Sequence, residues 1–140
     1  MTFVLDASIA IRWFIEEETH PNADIILSQL INTPFRYAVP ELFAYEVYAV
    51  LHRIHPAPLS TYTGGIVPLL QSGVLRQPMT ASLAEKASRF VKLGLTGYDA
   101  CYAALAADLN GTWLTFDQKA PRKIIDERVS WFVGTSLPDW

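Results

Sequence analysis

The sequence carries a single cysteine, Cys101, in 140 residues. An internal disulfide is therefore excluded, as is a metal site built on several thiolates. Cys101 lies in an alanine-rich helical pattern that wants small apolar side chains, so it reads as packing rather than as a nucleophile. Histidine is sparse too, with 3 residues. His52 and His55 fall at a helix end before Pro56 with no third ligand in view, which argues against an imidazole metal centre.

Charge is also scarce. Charged residues make up 18% of the chain and the net charge is −3, which argues against a protein that grips nucleic acid by overall basicity, since non-specific affinity comes from neutralising phosphates. Setting aside the acids considered below leaves a near-neutral remainder in which basic patches act locally. No stretch reaches the roughly 18 uninterrupted apolar residues of a membrane-spanning helix, and Asp6 interrupts Met1 to Phe14 where a signal peptide would be apolar. The expectation is a cytoplasmic protein with no membrane partner. What is abundant is apolar material, 51% of residues with a mean hydropathy of +0.19, a surplus that predicts a surface covered by a partner. The length suits one compact domain spanning residues 1–140.

Strand and helix patterns alternate along the chain. Thr2 to Leu5 is β-rich and ends at Asp6; Ser8 to Phe14 continues as a helix. After the acidic loop Glu16–Glu18, a Pro21-initiated helix with Ala23, Ile26, Leu27 and Leu30 on one face ends before Pro34. A short strand at Arg36–Val39 follows, then a long helix opened by Pro40 and running to about Ile54. Leu59 to Gln71 reads as a broken helix, because Gly64, Gly65 and Pro68 weaken it. A strand is expected at Val74–Gln77 and an amphipathic helix at Ala81–Leu93 with Leu83, Ala87, Phe90 and Val91 inward. Further helix is expected over Gly97–Leu109, a strand over Thr112–Thr115, a short basic helix begun by Pro121, and a last strand at Val129–Val133. This alternation predicts an α/β fold, a mainly parallel sheet covered by helices on both faces, with ligands bound beyond the carboxyl ends of the strands.

Acids fall at that edge. Asp6 and Asp117 each lie at or just past a strand's carboxyl end, although each would also serve as a helix N-cap. Asp99 follows Thr96 by three residues and would equally suit a first helical turn. Glu46 is harder to explain, as the only charged side chain within Leu42–Leu51. Burying it ionised costs on the order of several kcal/mol unless it pairs with a cation such as an arginine, is hydrogen-bonded, is protonated or binds a metal. At about 5 Å and an effective dielectric near 20, each converging carboxylate pair would cost about 3 kcal/mol, which hard divalent cations relieve. Oxygen ligands without clustered Cys or His suit Mg²⁺ or Mn²⁺, and such a site suits phosphodiester hydrolysis.

Val4-Leu5-Asp6-Ala7-Ser8, Pro40-Glu41-Leu42 through Glu46-Val47, Tyr98-Asp99-Ala100 with Tyr102-Ala103, and Thr115-Phe116-Asp117 resemble, in order and interval, the PIN domain family, particularly the VapC-type toxins of toxin–antitoxin pairs. The resemblance spans nearly the whole chain. It implies a three-layer α/β/α sandwich, a Mg²⁺- or Mn²⁺-dependent endoribonuclease, and metal ligands at Asp6, Glu46, Asp99 and Asp117, with the hydroxyls of Ser8 and Thr115 in support. It also implies an RNA substrate, a homodimer and a small antitoxin that occupies the active-site region. Lys119, Arg122 and Lys123, and less strongly Arg12, are candidates for RNA phosphates or else a solvated face. The alternatives are a non-toxin RNA-processing nuclease of the same family, a PIN-like module that binds RNA or protein without turnover, and a haloacid-dehalogenase-type phosphatase, which would want an acid where Ser8 stands.

Overall fold

Phe3, Val4 and Leu5 point alternately to the two sides of an extended segment, yet all three are buried. Such a strand belongs inside a sheet covered on both faces. The computed structural model describes residues 1–140 and places β1 (Phe3–Leu5) among β2 (Tyr37–Pro40), β3 (Leu75–Gln77), β4 (Thr112–Thr115) and β5 (Ser130–Phe132). The sheet order is β3-β2-β1-β4-β5, and every neighbouring pair is parallel. The helices are α1 (Ala7–Phe14), α2 (Pro21–Asn32), α3 (Leu42–Ile54), α4 (Pro58–Thr61), α5 (Val67–Leu70), α6 (Ala81–Lys92), α7 (Gly97–Asp108) and α8 (Lys119–Lys123).

Register separates the two faces. Val4 pairs with Trp113, and Trp113 stacks on Tyr102 of α7 with ring centroids 5.9 Å apart and planes 12° from parallel. That face is covered by α7, with α6 packed along it. Leu5 and Val39, on the other pleat, meet Trp13 of α1, Leu30 of α2, Phe43 of α3 and Ile66. The result is the three-layer α/β/α sandwich. Helix α7 is buried continuously from Ala100 to Ala106, where alanines let it lie close against both sheet and helix around the large side chains of Tyr102 and Leu105; Cys101 fills one of the small positions and is buried.

Several local expectations change. Leu59–Gln71 is not broken: α4 runs into a π-helical turn at Tyr62–Ile66 and then α5. Gly65 lies in that turn where an added Cβ would come 2.7 Å from the Phe14 ring, and Pro68 falls in the first turn of α5, where its missing N–H is not needed. Pro40 closes β2 rather than opening a helix, so α3 starts at Leu42. Val91 is 45% exposed instead of inward, because Leu83, Ala87 and Phe90 already complete the buried stripe of α6. Helix α8 begins at Lys119, ahead of Pro121. No helix is long and apolar enough to cross a membrane.

Gly111 joins α7 to β4 under close constraint. A Cβ there would lie 2.4 Å from the backbone carbonyl oxygen of Thr2, the same oxygen that accepts the Thr112 N–H at 3.0 Å. Backbone on the central strand cannot swing aside as a side-chain tip can. Gly111→Ala is expected to cost about 3 kcal/mol of stability, at the upper end for overpacking, read as a lower urea midpoint; an unchanged midpoint would show that the strand entrance yields.

Candidate active site

The carboxyl ends of β1 and β4 are tied together by side chains within β4 and just beyond β1. Asp6 caps α1, its Oδ2 accepting the Ser8 N–H at 3.1 Å. Its other oxygen, Oδ1, accepts the indole N–H of Trp113 at 3.2 Å. The Ser8 hydroxyl oxygen accepts the Phe116 N–H at 3.1 Å, and the Thr115 hydroxyl oxygen accepts the Asp117 N–H at 3.0 Å. Asp6 is buried. Burial pushes its pKa up, while hydrogen bonding from Ser8, Trp113 and Thr115 pulls in the opposite direction.

Glu46 reaches this place from α3 and Asp99 from the first turn of α7. Glu46 Oε1 accepts the Tyr102 hydroxyl at 2.7 Å. An arginine was one expected partner for Glu46; the structure supplies a phenol instead, because Tyr102 stands on the helix that packs over the same strands. Burial is the main reason the Glu46 pKa rises, with the charges of Asp6 and Asp99 adding to it. The Asp99 pKa rises by burial and then by the charges of Asp6 and Asp117, opposed by Thr96 and Lys123. Burial and the nearby Asp6 and Glu46 raise the Tyr102 pKa well above the usual phenol value, which keeps its hydroxyl a donor.

Asp6 and Asp99 thus neighbour Glu46, and Asp6 and Asp117 neighbour Asp99. The simpler capping roles coexist with this proximity. Thr96 caps α7 through the Asp99 amide at 3.1 Å, so the Asp99 carboxylate is not needed as a cap. Asp117 Oδ1 accepts the Lys119 N–H at 2.9 Å, which closes a local turn before α8. No lysine or arginine pairs with these acids: the salt bridges are Lys86–Asp108 and Arg89–Glu127, both elsewhere.

The donor set is all oxygen and has no basic side chain salt-bridged to it, which fits a hard divalent cation. The side chains do not present a ready-made cage, since no three His, Cys, Asp or Glu groups converge closely enough to hold an ion. Mg²⁺ does not require one, because it commonly uses one or two carboxylates and retains waters. His52 and His55 have local roles, His52 against the Tyr48 carbonyl at 3.0 Å and His55 accepting the Ala57 N–H at 2.9 Å. Arg12 is likewise engaged, its guanidinium 4.1 Å from the Phe116 ring centroid and donating to the Glu18 carbonyl. Lys119, Arg122 and Lys123 are exposed on α8 beside Asp117.

Trp113 and Tyr102 were not singled out by sequence as parts of the site. The available signal was chemical: a tryptophan buried in a strand still needs an acceptor for its N–H.

The PIN domain family model matches residues 3–124. The chain belongs to the PIN domain family. No curated protein sequence matches this PIN domain. Its solved structural relatives include a toxin–antitoxin complex from Klebsiella pneumoniae, at 15% identity and TM-score 0.71, covering 97% of this chain and 100% of the relative. VapC20 of Mycobacterium tuberculosis, described as a sarcin–ricin loop cleaving toxin, is 16% identical at TM-score 0.66, with 86% of this chain and 94% of that one covered. VapBC2 of Rickettsia felis, bound to a promoter DNA fragment, is 14% identical at TM-score 0.65 and covers 100% of this chain and 99% of its own. At these identities the likeness is one of fold.

Proposed function

We propose that this PIN domain is a Mg²⁺- or Mn²⁺-dependent endoribonuclease, the toxin of a toxin–antitoxin pair, acting as one domain over residues 1–140. The observation that carries the proposal is that Glu46 and Asp99, whose pKa values are raised first by burial and then by neighbouring acids, have no salt-bridged basic side chain. Keeping carboxylates together without cations is unfavourable, and a structure that does so is organised for a divalent ion. Of Asp6, Glu46, Asp99 and Asp117, one or two would hold it directly and the others through its bound waters, with Ser8 and Thr115 orienting Asp6 and Asp117. When bound, such an ion lowers the pKa of a water and steadies the attacking and leaving oxygens of a phosphodiester.

The chain's own residues then divide the work. Trp113 and Ser8 fix the two oxygens of Asp6 from opposite sides, and Tyr102 fixes one oxygen of Glu46. Lys119, Arg122 and Lys123 meet RNA phosphates beside Asp117. Toxin–antitoxin relatives of the same fold support a small protein inhibitor as partner. The rings of Tyr48 and Tyr62 meet edge to face with centroids 5.4 Å apart, and on the same helix as Tyr48, Tyr45 is 72% exposed, Tyr48 itself 44%. This aromatic surface supports a homodimer.

Purified protein is expected to cleave RNA when Mg²⁺ or Mn²⁺ is added and to lose that activity with a chelator; cleavage undiminished by chelator sinks the metal mechanism. Expression alone is expected to arrest growth, with relief by a small protein encoded beside it. Normal growth at high levels of active enzyme would favour an RNA-processing role.

A further inference from the structure

Beside the carboxylates lies a cavity of about 190 Å³ lined by Pro40, Glu41, Leu42, Gln77, Met79, Leu83, Tyr98 and Cys101. Its place is set by the sheet. Pro40 and Gln77 are the last residues of the adjacent strands β2 and β3 and are in register. Glu41 and Leu42 open the helix that carries Glu46, and Tyr98 immediately precedes Asp99. The cavity therefore adjoins the acids on the ligand-binding edge.

We propose that this cavity is a nucleobase subsite, which holds one unpaired base of the RNA next to the scissile phosphate. The inference rests on the ribonuclease reading and adds which part of the substrate is read, and by what. The volume is below the ~300 Å³ of pockets for drug-sized ligands, so it admits one flat ring system rather than a helix or a peptide strand. Tyr98 is 67% and Met79 50% exposed at its mouth, a ring face and a polarizable thioether against which a base stacks. Polar groups are few, as selective recognition requires. Glu41 Oε1 accepts the Met79 N–H at 3.1 Å, which anchors the carboxylate and leaves Oε2 without a protein partner. The Gln77 amide donates to the Pro78 carbonyl at 3.1 Å, which leaves its oxygen as a second acceptor. Two acceptors select a base edge rich in N–H donors. Carboxylates read exocyclic amino groups in this way, so adenine, guanine and cytosine are favoured over uracil.

The test uses the full chain and four probes, AMP, GMP, CMP and UMP, followed by NMR at the Met79 methyl and the Gln77 side-chain amide. The expected result is that shifts concentrate at these groups, with UMP binding weakest. Tyr98→Ala should weaken the amino-bearing nucleotides about tenfold through lost stacking. Glu41→Gln can keep an oxygen toward the Met79 N–H and turn an NH₂ toward the base, so the preference should move toward UMP. Absence of shifts at millimolar nucleotide, shifts located elsewhere, or an unchanged base order in Glu41→Gln overturns the subsite. So does the finding that Tyr98→Ala weakens only binding of the inhibitory protein. RNA cleavage by the unmodified chain is measured in parallel: no cleavage refutes the ribonuclease reading, whereas cleavage with no nucleotide shifts refutes only the base subsite.

Discussion

Asp99→Asn is expected to abolish RNA cleavage while making the metal-free protein more stable at neutral pH. The two effects share one cause. Asp99 carries a raised pKa because it is buried and faces the charges of Asp6 and Asp117. A carboxyl whose pKa is higher folded than unfolded stabilises the fold while it stays protonated. That contribution is lost as pH rises through the folded value, because the native state must then give up a proton it holds more tightly. Above that window the native protein bears an extra charge in a crowded acidic site. An amide removes the charge and, with it, the loss. The melting temperature in chelator should rise by about 2–5 °C at pH 7, and the difference should shrink as pH falls toward 4. Added Mg²⁺ should stabilise the parent and leave the variant nearly unmoved. Loss of a metal-binding carboxylate should cost several kcal/mol of transition-state stabilisation, on the order of a thousandfold in rate. A variant that loses stability along with activity would mark Asp99 as structural; one that cleaves normally would remove it from the site.

Trp113→Phe should lower cleavage about 10- to 100-fold, the range typical when a group that orients a metal ligand is removed. Phenylalanine keeps a flat ring against Tyr102 but has no N–H for Asp6 Oδ1. The buried oxygen then loses the donor now at 3.2 Å, and its carboxylate is free to turn. Two aromatic rings, stacked with centroids 5.9 Å apart, link Asp6 to Glu46 because Tyr102 donates to Glu46 at 2.7 Å. Tyr102→Phe is the complementary variant, releasing Glu46 alone. The reading is the half-saturating Mg²⁺ concentration for cleavage, which should rise in both variants. A stability loss with the metal dependence unmoved would reduce the pair to packing.

Much of this site was legible from local pattern. Strand ends could be placed because a β-rich run stops where an acid and a helix start begin, as at Leu5-Asp6-Ala7 and Thr115-Phe116-Asp117. Glu46 could be marked because a lone acid in an apolar helix needs a reason. Its partner could not be named, since Tyr102 is 56 residues away in sequence, and helix spacing constrains only neighbours within a turn or two. The Leu59–Gln71 stretch failed for a related reason. Glycine and proline signal weak helix locally, but burial of Ile66 and Leu70 and the close approach of Phe14 to Gly65 hold it helical through a π turn.

The cysteine-poor, charge-poor sequence determined the alternating strands and helices, the parallel sheet and the edge at which Asp6 and Asp117 stand, because hydrophobic periodicity and capping chemistry act over a few residues. Only the tertiary structure decided that Trp113 bonds Asp6, that Tyr102 bonds Glu46, and that a cavity opens beside the starts of the helices that carry Glu46 and Asp99. The contact between residues 56 positions apart is fixed by the packing of α3 and α7, and the one between residues 107 positions apart by the pairing of β1 with β4.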